Sequence, residues 1–139
     1  MKELSCGIVL VNNKKILGCI PFAGFGKKRN RLDIPKGHVE SFDKDDIETA
    51  IREAKEETGL IFSRYDLNDL GTFMYTKSKN LHLFLSTKNV DIKDCCCTSF
   101  FEKENASCPE VIGYRWEDNA DNFYLVLKPI LEKIIKENI

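Results

Sequence analysis

"PKGHVESFDKDDIETAIREAKEETGL", residues 35–60, is the stretch from which the architecture can be read. Its second half is the clearest helix in the chain. Asp45 followed by Glu48 has the capping-box pattern, and Asp45 and Asp46 place negative charge at the positive end of the helix dipole. Gly59 supplies the C-terminal stop. Between these ends Ile47, Ala50, Ile51 and Ala54 recur at helical spacing. With Glu53 at zero and about 100° per residue, these four fall between roughly 60° and 160°, Glu56 near −60° and Glu57 near +40°. A packed stripe therefore lies beside an acidic one, Glu53, Glu56 and Glu57, with Arg52 one turn before Glu56. Like charges so spaced cost a few tenths of a kcal/mol each. A solvated face with ion pairs to Arg52 and Lys55 is the plain explanation. The preceding loop favours another. Gly37, directly after Pro35 and Lys36, makes a place where a backbone carbonyl and the carboxylates can meet, and hard divalent cations such as Mg²⁺ take oxygen ligands and pair with substrate phosphates.

Outward from the helix, the flanks read as strands. "LSCGIVLV" (4–11) is β-branched and apolar and ends at the turn signal Asn12-Asn13, with "KILGCIPF" (15–22) as its antiparallel partner. "RLDIP" is a short extended piece, because Pro35 biases Ile34 away from helix. "LGTFMYT" (70–76) and "LHLFLST" (81–87) form a strand pair across "KSKN", and "VIGYRWE" (111–117) is a further strand. "KPILEKIIKENI" (128–139) is an amphipathic closing helix with Pro129 early, where its missing N–H does no harm. Two helices that do not alternate with the strands predict an α/β fold with a mixed β-sheet between helices. No repeat or linker interrupts the chain, so residues 1–139 read as one domain.

The bulk composition is that of a globular domain: 139 residues, 42% hydrophobic, 31% charged, net charge −1. Such a balance gives no support to sequence-independent binding of nucleic acid. No apolar run reaches the length of a membrane span, and the N-terminus does not read as a signal peptide. The expectation is a cytoplasmic protein in a reducing compartment (host cytoplasm if phage-encoded). Six cysteines, three of them consecutive at 95–97, read as buried or idle thiols; adjacent cysteines on an extended strand cannot all turn to one zinc ion. "GFGKKRNR" (24–31) lacks P-loop spacing and reads either as a loop that steers anionic substrates or as a solvated turn. Residues 43–54 lack Gly at the sixth position and an acidic residue at the twelfth, which excludes an EF-hand.

The 35–60 segment resembles the Nudix hydrolase box. That box is Gly, five residues, Glu, seven residues, then Arg-Glu-hydrophobic-any-Glu-Glu-any-Gly-hydrophobic. Gly37, Arg52, Glu53, Glu56, Glu57, Gly59 and Leu60 match it, whereas Asp43 stands where Glu is usual and one extra residue precedes Arg52. The resemblance implies the Nudix α/β/α sandwich. It also implies Mg²⁺-dependent hydrolysis (Mn²⁺ the alternative) of a phosphoanhydride bond in a small nucleotide, with release of a nucleoside monophosphate. Glu53, Glu56, Glu57 and the Gly37 carbonyl would be metal ligands, and Arg52 would orient a box glutamate. Glu110, in "CPEVIGYRW", is the candidate general base; Lys36 and His38 are candidate phosphate contacts. Phe22, Phe25, Tyr75 and Phe101 are candidates for stacking a base, none singled out. The flanks look most like the small NudE-type enzymes of large tailed phages and the diadenosine polyphosphate hydrolases. ADP-ribose, diadenosine polyphosphates and related dinucleotides are thus the expected substrates. Nucleoside triphosphates or RNA 5′ ends are the second reading, and an inactive nucleotide-binding protein is a third of a different class. A homodimer is common among members, but no surface stripe here requires one.

Overall fold

The computed structural model describes residues 2–22, 31–103 and 105–139. Phe25 and most of the basic loop lie outside the described residues. In chain order the elements are β1 (Glu3–Asn12), β2 (Lys15–Pro21), β3 (Lys36–His38), α1 (Asp46–Thr58), β4 (Asn68–Thr76) and β5 (Lys79–Ser86). They continue with β6 (Phe100–Lys103), β7 (Ala106–Pro109), β8 (Val111–Glu117) and α2 (Leu127–Asn138). Single 3₁₀ turns at Arg64–Asp66 and Ile92–Asp94 precede β4 and follow β5.

The sheet runs β4-β5-β1-β2-β8, with β3 also on β1, and β6-β7 form a separate hairpin. β1 is the hub. It pairs in parallel with β5 from Glu3↔Lys79 to Leu10↔Ser86. Its other edge is shared: Ser5, Cys6 and Gly7 face β3, and Val11 and Asn12 face β2. The β1–β2 turn holds Asn13 and Lys14 at φ 52° and 64°. Positive φ at both loop residues gives the twist that a two-residue hairpin needs, and Asn is among the side chains that tolerate it best. The β6–β7 hairpin was not anticipated from sequence; Asn105, at φ 65°, makes its turn.

Alternation along β1 divides the core. Cys6, Ile8 and Leu10 point to one side, where they pack with Phe84, Phe62 and the α1 alanines Ala50 and Ala54. Val9 and Val11 point to the other, against Leu81, Leu83, Leu85 and the α2 residues Leu127, Leu131 and Ile134. Each helix thus covers one sheet face, as expected for a sheet buried on both sides. The short side chains of Ala50 and Ala54 set α1 directly on β1 and β3. Pro129 falls at the third residue of α2. Among the described residues, no helix is long and apolar enough to cross a membrane.

Candidate active site

The two ends of α1 are fixed differently. At the N-terminus the Asp45 carboxylate accepts from the Glu48 amide at 3.0 Å and from the Arg64 guanidinium at 2.9 Å. Asp46, the first helical residue, reaches His82 on β5 at 2.6 Å. At the C-terminus all four carbonyls without intrahelical partners are satisfied. Gly59, left-handed at φ 74°, donates to Lys55 O, and the Thr98 amide donates to Glu56 O at 2.7 Å. The Tyr114 hydroxyl donates to Glu57 O at 2.5 Å, and the Cys96 amide to Thr58 O at 2.9 Å. The acidic stripe is therefore held rigidly.

That stripe lines a cleft of about 370 Å³, shared by Glu53, Glu56, Glu57, Gly37, Lys36, His38 and Glu110. The structure thus brings together every residue expected as a metal ligand, general base or phosphate contact, with Arg52 just behind; the stacking candidates Phe22, Tyr75 and Phe101 are not among the described residues lining it. The Arg52 Nη1 donates to Glu53 at 3.1 Å and Glu56 at 3.4 Å, and its Nη2 to the His38 carbonyl at 3.0 Å. Arg52 is in turn gripped at both ends of its fork by Asp43, at 3.0 and 2.9 Å. The Asp43 carboxylate also accepts from the Thr49 hydroxyl and the Glu40 amide. The shorter acid in the box thus still reaches its arginine, and the Arg52 hydrogen bond leads the causes that hold its carboxyl well below the usual range.

Gly37 matters for its missing side chain. A Cβ there would overlap the Glu53 carboxylate, so the close approach of strand and helix needs a glycine. Burial differs along the stripe. Glu57 is 8% exposed and the Glu53 side chain 14%, while that of Glu56 is 39% exposed at the mouth. Burial, then the Glu56 charge, pushes Glu53 up to about 7; burial, then Asp33, pushes Glu57 up to about 9. Removing a carboxylate from water among like charges favours its proton.

Lys36 joins the two walls. Its backbone amide donates to Glu57 at 3.2 Å, and its ammonium pairs with Asp33 at 2.8 Å, 5.8 Å above the Tyr75 ring. Burial works against the ammonium, but Asp33, Tyr75 and Glu57 together raise its pKa. His38 is half exposed, its ring 3.6 Å from Glu3. Glu110, just before β8, accepts a hydrogen bond from the Ser99 hydroxyl. Of the aromatics, Phe22 and Phe101 pack edge to face at 5.7 Å. Asp33, Glu40, Lys79 and Tyr124 also line the cleft and were missed from sequence. Asp33 could have been found by its place three residues before Lys36; Lys79 and Tyr124 carry no local signal. All six cysteines are free thiols, Cys6 and Cys19 buried.

Comparison with known proteins settles the family. The sequence matches the NUDIX domain over residues 1–136. The chain belongs to the Nudix hydrolase family. A phage relative, the uncharacterized 17.7 kDa protein in the e-segB intergenic region of Enterobacteria phage T4, is 40% identical over 124 residues, which is 82% of this chain and 81% of that one. Among solved Nudix structures, the NUDIX domain of Shewanella oneidensis NrtR complexed with ADP ribose aligns with a TM-score of 0.71 and 15% identity, over 99% of this chain and 88% of that one. The C. elegans Ap4A hydrolase binary complex aligns with a TM-score of 0.58 and 18% identity, over 96% and 93%. A MutT/nudix family protein from Enterococcus faecalis is much longer: 84% of this chain aligns with 43% of its length, at 20% identity and a TM-score of 0.58. At such identities the structural likeness establishes the Nudix sandwich. Nudix hydrolases generally use divalent metals.

Proposed function

We propose that the cleft hydrolyses a phosphoanhydride bond in a nucleoside diphosphate derivative (ADP-ribose, a diadenosine polyphosphate or a related dinucleotide), releasing a nucleoside monophosphate. One observation carries this reading: three glutamates from a single helix share a cleft with the bare backbone of Gly37, the lysines Lys36 and Lys79, and the further carboxylates Asp33, Glu40 and Glu110. ADP ribose, bound in one structural neighbour, and Ap4A, which gives another neighbour its name as a hydrolase, belong to the same chemical class.

The donor set suits a hard cation. Among the described residues no three acidic, histidine or cysteine side chains stand close enough to hold an ion as they are. Glu53 and Glu56 are turned toward Arg52 instead. The fit lies in the chemistry: buried anionic oxygens beside a backbone with no side chain in the way. Glu53, Glu57 and the Gly37 carbonyl would hold magnesium, with Glu56 sharing the charge and manganese as the alternative. When bound, the cation neutralises diphosphate charge and makes water a better nucleophile at neutral pH.

The remaining work belongs to the chain. Arg52, fixed by Asp43, orients Glu53 and Glu56. The Lys36 ammonium, held at the cleft wall by Asp33, contacts a phosphate oxygen, and His38 at the rim can do likewise. Glu110 takes a proton from the attacking water. The water oxygen bonds to phosphorus in line with the bridging oxygen, which departs with the bonding electron pair. A screen of ADP-ribose, diadenosine triphosphate, FAD, deoxynucleoside triphosphates and 5′-triphosphate RNA, each with magnesium and manganese, tests the assignment. Highest kcat/KM is expected among the first three; preference for triphosphates or RNA would overturn it.

A further inference from the structure

We infer that Ser99 is a positioning residue for Glu110, and that the strap 95–99 sets the placement of Glu110 relative to the glutamates of α1. The inference rests on Glu110 being the proton acceptor proposed above. Two contacts join the pair. The Ser99 hydroxyl donates to Glu110 Oε1, and the Glu110 amide donates back to the Ser99 carbonyl at 3.0 Å. A carboxylate gripped through both its side chain and its own backbone has little rotational freedom, whereas a long, partly buried glutamate would otherwise sample several rotamers. The Cys97 thiol adds a contact to the same Ser99 carbonyl at 3.2 Å.

The other end of the strap is fastened to α1. The Cys96 amide donates to Thr58 O at 2.9 Å, and Thr98 donates to Glu56 O through both its amide at 2.7 Å and its hydroxyl at 3.3 Å. Thr98 and Ser99 are consecutive. One holds the backbone of a helix glutamate, and the next holds a carboxylate that lines the same cleft. The carbonyls at this helix end have no intrahelical partner, so the strap is drawn to them by hydrogen bonds that would otherwise need water. A proton acceptor works only within hydrogen-bond reach of its water, so the separation of Glu110 from the other carboxylates is a quantity that must be fixed. Among the described residues no hydrogen bond joins Ser99 to the helix stripe, and its side chain is engaged by Glu110.

Steady-state kinetics on the preferred dinucleotide with saturating magnesium separates this role from a structural one. Ser99→Ala should lower kcat about tenfold with KM changed less than about twofold, because a misplaced base slows the chemical step and leaves binding alone. Ser99→Thr, which keeps the hydroxyl, should recover most of that loss. In a Glu110→Gln background Ser99→Ala should add less than about a twofold further loss, since residues acting as one unit are not additive. Full activity of Glu110→Gln would overturn the base assignment itself, whatever Ser99 does. Slow Glu110→Gln with parental Ser99→Ala would overturn the positioning role alone. An equal loss from Ser99→Ala in both backgrounds would place its effect elsewhere and overturn it too.

Discussion

Glu53, Glu56 and Glu57 coexist because each meets a donor. Arg52 reaches the first two, the Lys36 amide the third, and Asp43 keeps Arg52 from collapsing onto any one of them. The box glutamates and their arginine were legible in the sequence because their spacing alone puts them on one helix face. The work of Asp43 was not, since it depends on how the loop before the helix folds back. Gly37 offers the sharpest single substitution. Gly37→Ala puts a methyl group where the Glu53 carboxylate now lies, and one of the two must move. Turnover should fall at least about tenfold, since displacement of a reacting group by an ångström is sufficient for that. The rate of the purified variant checks it, and parental turnover would show that the close approach of Gly37 and Glu53 is dispensable.

Helix α1 shows where sequence reasoning succeeds and where it stops. Its limits, Asp45 to Gly59, follow from local rules and the structure agrees to the residue; of its apolar stripe Ala50 and Ala54 are buried, and Ile47 and Ile51 pack partly buried against the same core. The partners of its C-terminal carbonyls do not, because Thr98 and Tyr114 lie tens of residues downstream. The β6–β7 hairpin escaped for a related reason: "FFEKENASCP" has neither clean alternation nor a glycine at its turn. Tyr114→Phe isolates one such long-range contact by leaving Glu57 O without its hydroxyl partner. An unsatisfied carbonyl of this kind costs about 1–3 kcal/mol. Urea unfolding should show a lower midpoint at unchanged slope, and an unaltered midpoint would mean that another donor replaces the tyrosine.

In the molecule as a whole, the sandwich was legible because hydrophobic alternation and helix periodicity are local, whereas the cleft draws on β2, β3, α1 and residues as distant as Lys79 and Tyr124. Its buried acids also tie stability to pH. Glu53 and Glu57 keep their protons to about 7 and about 9, against 4.5 for an ordinary glutamate. Between these values the folded chain binds protons that the unfolded chain releases, so stability falls as pH rises. His82, its pKa raised by Asp46 and Asp69 against the opposing effect of burial, acts with the same sign above its ordinary 6.5. The Tm of metal-free protein should thus decline from pH 5 to pH 9, and magnesium, binding only the folded state, should offset the decline most at high pH. A flat metal-free profile would contradict the burial of these carboxylates.

The measurement closest to the centre of the account is turnover of ADP-ribose or a diadenosine polyphosphate at saturating magnesium by the parent protein and by Glu57→Gln. Glutamine keeps the size of the side chain and loses the anionic oxygen, so kcat should drop at least about a hundredfold. Equal rates from the two proteins would show that the anionic oxygen of Glu57 is not needed to cleave the phosphoanhydride, contrary to its proposed place among the cation ligands.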